Sequence, residues 1–569
     1  MEQHKWWQKA VFYQIYPRSF ADGNGDGIGD LKGMISKLDY LKDLGVDAVW
    51  LSPHFPSPNV DCGYDISDYM AVAPEYGTME EFKEFLDGLH QRGMRLVLDL
   101  VLNHTSDKHT WFEESRSSRE NPKRDWYIWK KGKNGNPPNN WYSTFGGSAW
   151  ELDPATGEYY YHFFFKEQPD LNWHNPAVKQ AMFDSARFWL DMGVDGFRLD
   201  AIGTLFEDER YLDQPVKQSQ YDLFLHENTT TSQKEKAVIG KLWEEMFQYQ
   251  HDLPEVHQVM RELRQVIDEY PDRVLIGETD DIAFYGSSND ELHLNFNFPL
   301  MRPRVLSAEH VRANQSERLS KLPNNAWPCN TLGNHDTPRM HSYFGDGEHD
   351  DLQARLHLLL LLTLKGTPFL YNGEEIGMRD FIFTDSSLFK DSTAVFIYKI
   401  CIDVFHLDKN MAEQKAAEFG RDKNRTPMQW SEEVNAGFSP TGVQTWLPVN
   451  PDHANGVNVA DQTNIDNSLL NYYQRLLALR KTTPALQVGD FTEFDLHDED
   501  LYGFCRTTTE QNIIVLLNLT AQEKIIHLKK AGKCVFFSYA KGISIEDDSI
   551  RLQPYSGGVF SESRERIES

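Results

Sequence analysis

The chain has 569 residues, 40% of them hydrophobic and 25% charged, with a formal net charge of −29. That length is too great for one core and predicts two to four domains, one of them large enough to be a barrel of some ~250 residues. The negative charge argues against nucleic acid or an anionic membrane as partner, because both carry phosphates that would repel it, and leaves neutral or cationic ligands open.

At the N-terminus, MEQHKWWQKAVFYQIYP has no sustained apolar core ahead of a small-residue cleavage site, and no apolar run anywhere is long enough to span a bilayer. A cytoplasmic, non-membrane protein is expected. Its cysteines, Cys62, Cys329, Cys401, Cys505 and Cys534, are odd in number, lack metal-type spacing and are expected to be reduced.

The first strand-like run, VFYQIYP, leads into DGNGDGIGD, residues 22–30. Asp22, Asn24, Asp26 and Asp30 stand there on alternate or near-alternate positions between glycines, as in loops that hold a hard cation. An EF-hand does not fit. Counted from Asp22, its closing twelfth position is Gly33 rather than Glu, and the preceding element is a strand. Two readings stay open: a compact loop in which Asp22, Asn24, Asp26, the Ile28 carbonyl and Asp30 ring one Ca²⁺ or Mg²⁺, or a glycine turn in which Asp30 caps a helix starting near Leu31.

Beyond it, AVWLSP, RLVLDLVLNH, GFRLDAI, RVLIGE, HLNFNF, NTLGNHD and PFLYNGEE are further short runs, several continuously apolar before they turn polar, as parallel strands buried on both faces are. Amphipathic stretches such as DLKGMISKLDYLKDLG, MEEFKEFLDGLHQRG and AVKQAMFDSARFWLDMG fill the gaps as helices. The whole predicts a (β/α)8 TIM barrel over residues 1–104 and 175–483. After the third strand, residues 105–174 are rich in Trp, Tyr, Asn, Gly and Pro and too long for an ordinary connection, so an inserted domain over the barrel mouth is expected. A second insertion, about 379–450, reads as irregular and ends in RDKNRTPMQW. The helix NSLLNYYQRLLALRKTTPAL closes the barrel, and the alternating runs that follow predict a C-terminal antiparallel β-sandwich over 484–569.

In a barrel of this kind chemistry sits at the C-terminal ends of the strands, where this chain places Asp99, Asn103, His104, Arg198, Asp200, Glu278, His335 and Asp336. Arg198 and Asp200, two residues apart, face the same way, and a guanidinium beside a carboxylate favours the ionised form a nucleophile needs. Glu278 ends the next strand and Asp336 a later one. Acids converging on one mouth repel, so the least solvated keeps its proton, and an ionised carboxylate facing a protonated one can split a glycosidic bond with retention.

The motifs YQIYPRSFADGNGDGIGDL, GYDISDY, DLVLNHTS, QPDLNW, GFRLDAI, GETD, GNHDTPR, NGEEIGM and RTPMQW, in this order and over almost the whole length, resemble the α-amylase-type glycoside hydrolase family. QPDLNW, residues 168–173, is similar to the signature of its α-glucosidase and oligo-1,6-glucosidase branch. The resemblance implies that Asp200 attacks the anomeric carbon, that Glu278 protonates the leaving oxygen and then deprotonates water, and that Asp336 binds sugar hydroxyls. It further implies that His104 and His335 hydrogen-bond the glucose, Tyr64 stacks on it and Arg198 orients the nucleophile. Asp61 and Arg425, with Arg421 as helper, would cap the non-reducing end and make the enzyme exo-acting. It also supports a structural Ca²⁺ or Mg²⁺ at Asp22, Asn24, Asp26, Ile28 and Asp30, with no cofactor for catalysis.

The aromatic run through Phe164, with Phe145, is expected to wall the leaving-group side. Ala201, after the nucleophile, stands where members of the branch preferring α-1,6 bonds often carry Val, so α-1,4 glucosides such as maltose are expected, with sucrose as a further substrate. Retention also permits transglucosylation, and an oligo-1,6-glucosidase, a sucrose hydrolase or isomerase and a dedicated transglucosidase stand as the alternatives. The expected partner is a small oligosaccharide or glucoside, the expected assembly a monomer or small homo-oligomer. Lys423 and Asn424 depart from the small residues commoner in relatives, and they border the site entrance. A rival of the same fold, the accessory subunit of a membrane transporter, lacks the catalytic carboxylates and carries a membrane span; this chain has the carboxylates and no span.

Overall fold

The computed structural model describes residues 4–528, 532–546 and 549–562. Eight parallel strands form the central sheet: β1 (Phe12–Ile15), β2 (Ala48–Leu51), β3 (Arg95–Val101), β7 (Gly196–Asp200), β8 (Val274–Gly277), β9 (Leu294–Asn295), β10 (Cys329–Thr331) and β11 (Thr367–Tyr371). The three strands numbered β4 (Trp129–Lys130), β5 (Trp150–Asp153) and β6 (Glu158–Tyr161) lie between β3 and β7 in a separate small antiparallel sheet. The parallel order is β10-β11-β1-β2-β3-β7-β8-β9, so the ring is nearly closed, and all eight strands coincide with the apolar runs in the sequence. At the one seam without a ladder, the Asn297 amide reaches Asn330 Oδ1 of β10 (3.1 Å) and Asn314 Oδ1 (2.8 Å), pairing buried polar groups where backbone pairing stops.

Strand alternation decides what faces the barrel axis. Phe12, Trp50, Val97, Ile276, Phe296 and Phe369 point inward and form one buried cluster. Tyr13, Val49, Leu51, Leu96, Leu98, Phe197 and Leu199 point outward into the larger core under the helices. The same two-residue period turns Gln14, Asp99, Arg198 and Asp200 inward at the top of the barrel, above that apolar plug.

The helices Met79–Gln91 and Pro176–Met192 match the sequence reading, the first opened by a Thr78/Glu81 capping box and the second by Asn175 with Pro at its first position. The helix expected over 30–45 is two, Leu31–Ser36 and Leu38–Leu44, parted at Lys37 (φ −106°, ψ 8°). The insertion 379–450 is not irregular throughout. Helices Ser392–Asp403 and Lys409–Phe419 pack on each other through Ile397 and the smaller Ala394, Cys401, Ala412 and Ala416, and the small residues let two short helices approach closely. The β7–β8 connection also holds two helices, Gln220–Thr229 and Gln233–Phe247, that the sequence pattern does not announce.

At the C-terminal end, β12 (Asp490–Glu493), β13 (Leu501–Thr507), β14 (Asn512–Asn518), β16 (Lys533–Phe537) and β19 (Gly557–Glu562) make one antiparallel sheet. A second is made by β15 (Lys524–His527), β17 (Ile543–Glu546) and β18 (Ser549–Leu552). Leu501, Ile514, Leu516, Ile526, Ile550, Leu552 and Phe560 fill the space between them. Arg506 on β13 donates to the carbonyls of Thr363 and Leu364 (2.8 Å each), joining these sheets to the end of the buried helix Asp350–Thr363. Among the described residues, no helix is long and apolar enough to cross a membrane.

Candidate active site

Arg198 organises the floor of the barrel mouth. Its Nη1 contacts Asp99 Oδ1 at 2.5 Å and Asp200 Oδ1 at 2.8 Å, and its Nη2 contacts Glu278 Oε1 at 2.7 Å. One buried guanidinium therefore ties the ends of β3, β7 and β8 together, with the Trp50 ring 5.1 Å from its Cζ. Directly after β7 the chain makes a sharp left-handed turn: Ala201 has φ 43° and ψ 44°. Such a conformation costs a non-glycine residue about 1–3 kcal/mol. It aims the Ala201 N–H at Glu278 Oε2 (2.9 Å), so Glu278 is gripped through one oxygen by Arg198 and through the other by the main chain beside Asp200.

Three carboxyl groups share one guanidinium, and burial is the largest influence on the two deepest. Asp99 is pushed up to about 6 by burial, against the pull of Arg198. Asp200 is raised by burial and then by the neighbouring Glu278 charge, with Arg198 opposing both. Across the mouth Asp336 behaves in the opposite way. Burial pushes it up, but His335, Arg421, Arg425 and Arg198 together bring it well below the usual carboxylate range. Burial also drives His335 to its neutral form, so the arginines carry that effect.

His335 sits at the centre of a stacked layer. Its ring lies 5.5 Å from that of Tyr64 at an 11° interplanar angle, its Nε2 is 2.6 Å from Tyr64 Oη and 3.2 Å from Asp336 Oδ2, and its Nδ1 is 2.7 Å from Gln14 Nε2. His104, lowered to about 4 by burial, meets Gln168 Nε2 at 2.9 Å and has the Phe164 ring 5.1 Å away. Gln168 also donates to Asp61 Oδ2 (3.2 Å), so the inserted segment reaches the site.

Of the residues expected to cap the non-reducing end, Asp61 and Arg425 with Arg421 as helper, it is Arg421 that forms an ion pair with Asp61. Arg421 Nη2 contacts Asp61 Oδ1 (2.7 Å) and Asp391 Oδ1 (2.8 Å), and its Nη1 contacts Asp336 Oδ1 (3.1 Å). Arg425 is fully buried; it contacts Asp336 Oδ1 (2.5 Å), donates to the His335 carbonyl (2.9 Å) and lies over Tyr16 (5.2 Å), bracing Asp336 from beneath. A short turn, Asp422–Asn424, separates the two arginines and aims them differently. Gln14, Gln168 and Asp391 are site residues that sequence reasoning missed. Gln14 was legible as the one amide in the apolar run FYQI, whereas Asp391 carries no sequence signal at all.

The predicted cation loop lies outside this ring, against residues 438–446. Asp22 accepts N–H groups from Gly25 (2.6 Å) and Gly27 (2.8 Å) and the Ser439 hydroxyl (2.6 Å). Asp26 accepts from the Ile28 N–H (2.9 Å), Asn24 from the Asp26 N–H (2.9 Å), and Asp30 from Gly23, Asn24 and Gly33, the last as the cap of the Leu31–Ser36 helix. An ionised carboxylate has about four acceptor positions, so capacity is left for an ion. Among the described residues, however, no three His, Cys, Asp or Glu side chains converge as a metal would need.

Residues 14–489 match the α-amylase catalytic-domain family. Over 98% of both chains the sequence is 39% identical to the oligo-1,6-glucosidase of Parageobacillus thermoglucosidasius. It is 36% identical to the α-glucosidase of Pediococcus pentosaceus, over 98% of this chain and 99% of that one. Among solved structures, the trehalulose synthase of Pseudomonas mesoacidophila MX-45 superposes with a TM-score of 0.87 at 36% identity, covering 98% of this chain and 100% of its own. An isomaltulose synthase mutant from Erwinia rhapontici NX5, in complex with its natural substrate sucrose, superposes with a TM-score of 0.86 at 36% identity, covering 99% and 100%. With a barrel, a carboxylate–arginine floor and full-length relatives in agreement, the chain belongs to the α-amylase family and is a glycoside hydrolase akin to the α-glucosidases and oligo-1,6-glucosidases.

Proposed function

We propose that the protein is a retaining, exo-acting α-glucosidase that releases glucose from the non-reducing end of short α-glucosides. The observation that carries this is the pair of arginine clusters on opposite sides of one mouth: Arg198 gripping Asp200 and Glu278, and Arg421 sealing Asp61 to Asp336 and Asp391. A glucose bound between them has its anomeric carbon at Asp200 and its far end at a wall of charge that a longer chain would have to break. Asp200 attacks C1 while the C1–O glycosidic bond breaks and the Glu278 proton passes to the leaving oxygen. Glu278, now ionised, takes a proton from water, whose oxygen attacks C1 and frees Asp200 and glucose. Asp336, kept anionic by its arginines, accepts hydrogen bonds from the sugar.

The small Ala201 side chain beside Asp200 supports a preference for α-1,4 glucosides such as maltose, and retention supports transfer to acceptors other than water. Five unpaired thiols support a cytoplasmic setting. A divalent cation at residues 22–30 belongs to the same proposal; binding it requires Asp22, Asp26 and Asp30 to draw together. The test is release of p-nitrophenol from its α-glucoside by the wild type and by Asp200→Asn; equal rates would end the reading. Rapid viscosity loss on soluble starch before glucose appears would end the exo-acting part, and isomaltose turned over much faster than maltose would end the linkage preference. The likeness to trehalulose and isomaltulose synthases favours a second reading, isomerisation of sucrose, which product analysis separates as isomeric disaccharides rather than glucose and fructose.

A further inference from the structure

Gln14 stands on β1 in register with Trp50 of β2 and Tyr371 of β11, and it is 1% exposed. Its amide nitrogen has two hydrogens and two neighbours, Ser52 Oγ at 3.0 Å and His335 Nδ1 at 2.7 Å. Turned over, the amide would offer Oε1 to the same two neighbours, and His335 would have to carry its hydrogen on Nδ1. The far side of the ring decides between these arrangements. His335 Nε2 lies 3.2 Å from Asp336 Oδ2, an oxygen of a carboxylate held anionic. A bare nitrogen there would set its lone pair against that charge, so Nε2 carries the hydrogen. Burial keeps the ring neutral, so Nδ1 is bare and accepts from Gln14.

Packing sets the plane of the ring, which lies 11° from that of Tyr64 and 23° from that of Tyr16 and meets Trp50 at 85°. Packing cannot choose a tautomer; a hydrogen bond can. Resting on the α-glucosidase reading of this site, we propose that Gln14 is a positioning residue for glycoside cleavage: by donating to His335 Nδ1 it holds the imidazole in the Nε2–H form, which donates toward Asp336 and the bound sugar. Asp336 Oδ1 is taken by Arg421 and Arg425, and Oδ2 faces His335, so the hydrogen on Nε2 orients the oxygen left for a sugar hydroxyl. The same tautomer leaves the Tyr64 hydroxyl, 2.6 Å from Nε2, free to turn its own hydrogen to Asp99 Oδ2 at 3.4 Å, on the acid that Arg198 grips through Oδ1. One buried amide on the first strand thereby sets the direction of the hydrogen bonds from Asp336 to the floor of the site.

The test compares Gln14→Glu and Gln14→Leu with the wild type on p-nitrophenyl α-glucoside across pH. Gln14→Glu keeps the size and replaces the donor by an acceptor, so His335 Nδ1 must take a hydrogen; Gln14→Leu neither donates nor accepts. Each is expected to lose about 10–100-fold in kcat/KM, chiefly in kcat, the worth of one hydrogen bond to a charged group. The charged and titratable groups facing His335 are Asp336, Arg425, Arg198 and Arg421, with Tyr64 against its ring. In Gln14→Glu a second carboxylate joins them, and with an acceptor on each side the ring can hold both hydrogens as pH falls. The loss in Gln14→Glu, taken as a ratio to wild type, is therefore expected to shrink between about pH 8 and 5, and the loss in Gln14→Leu to stay constant. The same pH dependence in both variants, or losses under about threefold in both, would overturn the inference. Should a variant fail to fold, neutron diffraction from the deuterium-exchanged wild type decides: a deuteron on His335 Nε2 and none on Nδ1 is expected, and the reverse would overturn it. A wild type that cleaves no α-glucoside would end the function proposed above, whereas an active wild type with the wrong tautomer would end this inference alone.

Discussion

Replacing Arg421 with Met probes the cap and its electrostatics together. Asp391 is fully buried, yet Arg421 draws it from an ordinary 3.8 to about 2 against the effect of burial. A shift of that size is worth on the order of 2 kcal/mol at neutral pH. A depressed carboxyl contributes stability that is present above its unfolded value and is lost as pH falls through the folded one, so the wild type loses this part between pH 3.8 and about 2. In the variant, Asp391 keeps its burial and loses its cation, and Asp61 loses the same partner. Breaking a buried pair on one side costs about 3–5 kcal/mol, which is the expected loss at pH 7 in urea titrations followed by tryptophan fluorescence. With its carboxyl now raised, the variant should recover as pH falls from 7 toward 4, where Asp391 takes up a proton. The gap between the two proteins should therefore shrink on acidification. A gap below about 1 kcal/mol at pH 7, or one that is independent of pH, would refute the account of Arg421 as the buried counter-ion. In activity, the same variant should lose kcat/KM for maltose far more than it loses the rate of nucleophile chemistry, because Arg198 still holds Asp200 and Glu278.

Glu278→Gln should lower kcat for maltose by about 10²–10⁴-fold, and p-nitrophenyl α-glucoside should suffer less in its first step because that leaving group needs little protonation. Stopped-flow measurement of the p-nitrophenol burst checks this, and equal losses on both substrates would count against Glu278 as proton donor. At residues 22–30, a cation bound only by the folded loop should raise thermal stability by up to about 2.7 kcal/mol at a hundred times its Kd, with EDTA reversing the gain. A melting temperature indifferent to millimolar Ca²⁺ and to chelator would leave the loop as the self-bonded turn its hydrogen bonds describe.

The catalytic floor was legible in the primary structure because it follows from strand geometry. Eight short runs, several of them continuously apolar, suit parallel strands covered on both faces, and the two-residue period of a strand puts Arg198 and Asp200 on one side. Helices with a continuous apolar stripe, such as Met79–Gln91, were legible for the same local reason. Gln220–Thr229 was not, because its apolar contacts are divided among Val216, the Gln233–Phe247 helix and Tyr142 and leave no single stripe to read. The choice between Arg421 and Arg425 lay wholly in the tertiary structure. Both flank one short turn, and only the hydrogen bonds of that turn, from the Lys390 and Asp391 N–H groups to Asp422 and from Asn424 to the His335 carbonyl, send the first to Asp61 and Asp391 and bury the second under Asp336. DGNGDGIGD shows the same divide. Its composition sets which oxygens are available, but whether they face an ion or their own amides depends on how the loop closes against Ser439 and the following helix, and that is a property of the fold.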